Sequence, residues 1–258
     1  LSFSNLSTTG GSLQQSVIPT IAQTKEYVYS NVALNTSATG DLYSSMLVNI
    51  TTSAFVNATL ENNPSNSGSS EVRIQDSATL TGNGNGAMVT IPKRQNQSGV
   101  KSGATYTGGG GFIGGSQAIN TNQTYLYITR YTNVGGAGGG TANLWVFDET
   151  QYNAWQDNGG AAIDIGTYAL METSNSGTDT IAFDATKSLR LSTGEFSVDY
   201  NAGANNYDNT GELTITYDEI RYGNSLDDVV AVVPEASHYS LILSGLLACL
   251  LGARRSRA

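Results

Sequence analysis

Residues 212–222 read ELTITYDEIRY. Leu213, Ile215 and Tyr217 alternate with Thr214 and Thr216. That is the period-two pattern of a strand with one buried face. The run is rich in β-branched and aromatic residues and free of Gly and Pro, which suits a pleated surface. Working outward, 124–131 (TYLYITRY) is a second strong alternator. Residues 143–147 (NLWVF) follow it after a glycine-rich connection at 135–140 (GGAGGG), the pattern of two strands joined by a flexible hairpin. Further strands are expected at 27–34, across 42–60 as one long bent strand or two, and at 71–74, 87–91, 180–183, 188–191 and 196–200. Polar, turn-rich stretches such as 62–70 (NNPSNSGSS) and 82–86 (GNGNG) separate them. No helical stripe of useful length is expected before residue 238. Strands at this spacing without intervening helices predict an all-β, antiparallel β-sandwich or jelly roll.

Composition agrees. Of 258 residues, 39% are hydrophobic, enough for a core, and only 13% are charged, so Asn, Thr, Ser, Gln and Gly supply the surface polarity. The net charge is −9. The last 25 residues hold three arginines against Glu235, a surplus of two positive charges, so the body before them carries −11. An acidic body repels phosphate backbones, which argues against nucleic acid as a partner.

The one cysteine, Cys249, and the one histidine, His238, both lie near the C-terminus. The body therefore has no disulfide framework, no Ser-His-Asp or Cys-His nucleophile system and no zinc site with nitrogen or sulfur ligands. Carboxylates, hydroxyls, amides and oxygen-ligated cations are the chemistry left. The glycine cluster at 108–115 (GGGGFIGG) has no following helix and no Lys-Ser/Thr, so it does not read as a phosphate cradle. The adjacent acids Asp218 and Glu219 should point to opposite faces of their strand, poor geometry for a catalytic pair. A structural Glu219–Arg221 or Asp218–backbone interaction is expected, with Asp218 as the weak candidate for a calcium ligand. Asp148–Glu149 and Asp227–Asp228 read as turn residues near strand ends. Among the aromatics, Trp145, Trp155, Tyr152 and Tyr168 are candidates for a sugar-stacking platform. Trp145 reads as half core. Trp155, with Tyr152 in the polar stretch 151–160 (QYNAWQDNGG), is the preferred ligand-facing residue.

The end of the chain, 233–258, has three parts in order. Val233, Pro234, Glu235 and Ala236 come first. A 13-residue apolar run, 239–251, carries Tyr239, Leu241, Ile242, Leu243, Leu246, Leu247, Leu250 and Leu251. Arg254, Arg255 and Arg257 close it. As a helix the run would span about 20 Å at ~1.5 Å per residue, short of the ~30 Å of a bilayer core. It is apolar on all sides, which suits marginal membrane insertion held by the arginines.

These three parts resemble the PEP-CTERM sorting signal of Gram-negative bacteria. The family usually has Pro where this chain has Ala236. The resemblance implies an exported protein whose tail is recognised at Pro234 and Glu235 by an exosortase-type processing enzyme. Arg254, Arg255 and Arg257 would be the stop signal. The protein would be held transiently in the inner membrane, then released to the cell surface or extracellular matrix. Residues 217–229 (YDEIRYGNSLDDV) resemble the late strand and turn of laminin-G-like/concanavalin-like jelly rolls. Residues 1–13 resemble an early, internal part of such domains, and a leader is expected to precede Leu1. The expected organisation is a β-sandwich over 1–230 and a sorting tail with a short hydrophobic helix over 231–258. The expected role is a structural or adhesive envelope protein rather than an enzyme, without a cofactor unless calcium is bound. Carbohydrate binding, exopolysaccharide included, is the alternative. Glycoside hydrolases on such sandwiches place acids as Glu-x-Asp-x-Glu, and no such triplet occurs here.

Overall fold

The computed structural model describes residues 1, 3–4, 6, 12–17, 27–34, 37–52, 69–76, 88–93, 97–101, 111–113, 122–176, 183–194, 200–201, 206–207 and 213–230. The sorting motif, membrane segment and basic stop at 233–257 lie outside them, as do 53–60, 180–182 and 196–199 of the expected strands.

The fold is an antiparallel β-sandwich of two six-stranded sheets. The first sheet runs β1 (Leu13–Val17), β14 (Leu213–Gly223), β3 (Gly40–Thr52), β8 (Thr124–Val134), β9 (Thr141–Phe147), β10 (Met171–Ser176). The second runs β2 (Tyr27–Ala33), β11 (Lys187–Gly194), β4 (Ser69–Asp76), β5 (Met88–Lys93), β6 (Gln97–Lys101), β7 (Gly111–Ile113). A small pair, β12 (Tyr200–Asn201) and β13 (Asn206–Tyr207), stands apart. The strand that opens the sequence reading, β14, pairs with both β1 and β3.

Period-two alternation explains the core. In register across the first sheet, Met46, Tyr127, Val146 and Met171 form one inward row. With Val72, Ile74, Leu189 and Leu191 of the second sheet they make the inter-sheet core. Each such side chain taken from water contributes roughly 1.5–3 kcal/mol before entropy is counted. The connection between β8 and β9 turns on Gly135 at φ +72°, a left-handed conformation that Gly adopts freely.

The outer face of the first sheet is also apolar. Leu47, Leu126, Ile128, Trp145 and Phe147 belong to a second buried cluster, roofed by Phe3, Leu6, Tyr152, Trp155, Ile165, Leu226 and Val229. The roof consists of N-terminal residues and three helices: α1 (Glu149–Asp157), α2 (Ile165–Tyr168) and α3 (Leu226–Val229). The nine-residue α1 corrects the expectation that no helical stripe of useful length precedes residue 238. Asp148 is the N-cap of α1, accepting from Thr150 N at 2.8 Å and Gln151 N at 3.1 Å. Ser225 and Asp228 form a capping box on α3. Both acidic pairs read as turn residues are thus at helix starts, where carboxylates satisfy free N–H groups.

A β-bulge interrupts β14 between Asp218 and Arg221. Two residues intervene where one would, so 218 and 221 both fall on the outer face. Glu219 takes the strained conformation, at φ +48°. The expectation of one carboxylate in and one out fails for this reason. Both are buried, with side chains 6% exposed. The expected Glu219–Arg221 pair is present at 2.9 Å.

Candidate functional site

Trp155 and Tyr152 are fully buried. Spaced three apart on α1, they share the face turned onto the sheet. Trp155 stacks on Phe147 at 5.5 Å between centroids, and its Nε1 donates to Ala161 O at 3.0 Å. Tyr152 meets Phe3 edge-on at 5.4 Å. Neither can face a ligand in this conformation, which corrects the sequence expectation. Their burial pushes the Tyr152 phenol up to about 12. The signals for α1 were Asp148 before it and the pair Gly159–Gly160, both at positive φ, after it.

The Asp218 carboxylate accepts from Glu219 N at 2.9 Å and lies beside the backbone nitrogen of Leu1. Among the described residues no group of three or more His, Cys, Asp or Glu side chains could hold a metal ion.

The aromatic that does line a surface depression is Trp145. A second register row crosses the outer face of the first sheet: Arg221, Ser45, Ile128, Trp145, Glu172. Its last two members stand on β9 and the edge strand β10, directly opposite one another, so their Cβ atoms are about 5 Å apart. The segment after α1 folds over this end of the row. It consists of a 3₁₀ turn at Ala162–Asp164 and then α2. Two bonds hold it, Trp155 Nε1 to Ala161 O and Leu170 N to Val146 O at 2.8 Å, and Ala169 N to Ile165 O at 3.1 Å closes α2 within it. Buried Ile165 pins it to the outer cluster.

The result is a depression of about 400 Å³ lined by Trp145, Ala162, Ile163, Ile165, Gly166, Thr167 and Glu172. Ile163 stands 90% exposed at its lip. Trp145 is 93% buried, and its Nε1 has no acceptor among the described residues. An unsatisfied buried donor costs about 1–3 kcal/mol. Glu172 is exposed and, among the described residues, is the one acid in the lining. Tyr168 is partly buried against the outer cluster. Sequence reasoning singled out Trp145 but placed it half in the core. Glu172 and Gly166 carried no motif and were not foreseen.

A second depression, of about 390 Å³, lies at the start of α1 between Asn122–Thr124 and Asp148–Thr150. Its carboxylates are already engaged. Asp148 caps the helix, and Glu149 accepts from Ser4 N at 2.7 Å. Among the described residues no helix is long and apolar enough to cross a membrane.

No protein-family model and no curated protein matches the chain. Solved structures do. The endo-β-1,4-glucuronan lyase of the fungus Trichoderma reesei is similar at 10% identity and TM-score 0.40, over 88% of this chain and 93% of that one. A Bacillus licheniformis β-glucanase is similar at 11% and 0.38, over 86% and 83%. Winged bean acidic lectin, complexed with methyl-α-D-galactose, is similar at 10% and 0.39, over 84% and 91%. The likeness is one of fold.

Proposed function

We propose that the sandwich is a carbohydrate-binding module, and that the chain is exported and sorted to the cell envelope through its tail. The observation that carries the first part is the depression at Trp145. A sugar presents apolar C–H faces beside hydroxyls that both donate and accept. Ile163 supplies an apolar wall, Trp145 part of an indole floor whose buried N–H a sugar oxygen would reach once the ring tilts, and Thr167 and Glu172 polar partners. The volume lies within the range of small-ligand sites, about 300–1,000 Å³. Glycoside hydrolysis needs two carboxylates about 5–10 Å apart. Among the described residues Glu172 is the one acid in the lining, which supports holding a sugar over hydrolysing one.

The sorting part rests on the order of Val233–Pro234–Glu235–Ala236, the apolar run and the closing arginines. It makes envelope exopolysaccharide the natural ligand to try.

The experiment is a glycan array that includes envelope exopolysaccharide, probed with the chain and with Trp145→Phe. Phe fills much of the indole's space but removes the N–H. Binding by the parent chain, weakened about tenfold in the variant, is the expected result, since one hydrogen bond of about 1.4 kcal/mol is worth that factor. A blank array would refute carbohydrate binding. Release of reducing ends from the polysaccharide would make the protein an enzyme instead.

A further inference from the structure

Glu172 is exposed on an edge strand, with solvent open to its side chain, yet its carboxylate sits against α2. The reason is Gly166. A Cβ on residue 166 would lie 2.4 Å from Glu172 Oε2, 2.9 Å from Cδ and 3.0 Å from Oε1. Any side chain larger than hydrogen would evict the carboxylate. The backbone itself does not need glycine there, because φ of Gly166 is outside the left-handed region. Glycine is also a poorer helix residue than alanine. The space it leaves is filled by the acid. Gly166 therefore leaves room in the wall for the carboxylate of Glu172, the one charge of the lining among the described residues.

From this we infer that Gly166 and Glu172 together set the charge of the ligand: the depression takes an uncharged sugar and rejects uronic and sulfated ones. This rests on the carbohydrate-binding reading above. An ionised carboxylate only accepts hydrogen bonds, so it pairs with sugar hydroxyls and repels another carboxylate brought to the same place. The body's net charge of −11 adds repulsion at longer range, which salt screens. The short-range part at Glu172 survives at physiological salt.

The test uses the complete chain at physiological ionic strength. Two matched probe series, oligogalactosides and oligogalacturonides, differ in a carboxylate on each ring. The parent chain should bind the neutral series at least about tenfold more tightly than the acidic one, and Glu172→Gln should bring the two within about threefold. Gly166→Ala should weaken the neutral series about tenfold while circular dichroism and melting temperature hold or rise, because alanine favours the helix. Equal or tighter binding of the acidic series by the parent chain would overturn the inference. So would an unchanged gap in Glu172→Gln, or an unchanged affinity in Gly166→Ala. If neither series binds but the chain binds elsewhere on the array, the charge rule falls and carbohydrate binding stands. If nothing binds, both fall.

Discussion

Replacing Trp155 separates a core residue from a ligand platform. The indole is fully buried, stacked on Phe147, edge-on to Tyr152 at 5.9 Å, and bonded through Nε1 to Ala161 O. Trp155→Ala removes all of this and leaves a cavity between α1 and the sheet. Large aromatic truncations in cores cost about 3–5 kcal/mol, part of which here is the stacked pair and the hydrogen bond. In a chain of this size each kcal/mol lowers the melting temperature by about 2–4 °C, so a fall of roughly 6–20 °C is expected. The loss should also loosen the 3₁₀ turn and α2, because Ala161 is one of their tethers. Trp155→Phe should recover most of the stability, lacking only the Nε1 bond and some volume. Urea and thermal unfolding followed by circular dichroism measure it. A Trp155→Ala protein as stable as the parent, but unable to bind a glycan that the parent binds, would refute the placement and restore Trp155 as a ligand-facing residue.

Single contacts at Tyr152 and Gly140, and the sequence of the tail, carry the remaining predictions. The Tyr152 hydroxyl is buried with no partner among the described residues, so Tyr152→Phe should be neutral or stabilising at pH 7. Burial raises the Tyr152 phenol to about 12, so its contribution is full below pH 10 and is lost as pH rises towards 12. The loss, at most ~2.7 kcal/mol, should be missing from the alkaline unfolding curve of Tyr152→Phe. A Cβ on Gly140 would lie 2.1 Å from Thr132 O, so Gly140→Ala should destabilise by about 1–3 kcal/mol in urea unfolding, whereas Gly138→Asn, with open space and φ +85°, should be tolerated. For the tail, intact mass of the protein from its native host should show loss of everything from near residue 235. The full tail should be kept when Pro234 and Glu235 are both replaced by Ala. A tail retained in both would contradict sorting.

The sheets were legible because alternation survives wherever one or both faces are buried. The runs at 27–34, 124–131, 143–147 and 212–222 all lie on observed strands, within a residue or a few at their ends. The cap over the first sheet was not. Only Tyr152 and Trp155 mark the buried face of α1, too few for a helical period in nine residues, and the polar residues around them masked it. The bulge at Glu219 left no trace, because a glutamate in the left-handed region has no glycine to announce it. The candidate site was half legible. Trp145 stood out as an aromatic. Glu172 reaches it by pairing of an edge strand, and Gly166 by the fold of α2 over that edge. Neither relation is carried by sequence spacing. The Glu219–Arg221 pair was anticipated because both residues sit on one short run, and the bulge preserved it.

The most direct test of carbohydrate binding at Trp145 uses the two tryptophans of the chain as reporters. With ¹⁵N-labelled protein, each indole N–H gives one resonance, assigned by Trp145→Phe. Neutral oligosaccharides from depolymerised envelope exopolysaccharide are then titrated in. With a sugar seated on Trp145, its indole resonance should shift and saturate, while that of Trp155, bonded to Ala161, stays in place. Binding that leaves Trp145 unmoved, or that moves Trp155 alone, would contradict carbohydrate binding at Trp145.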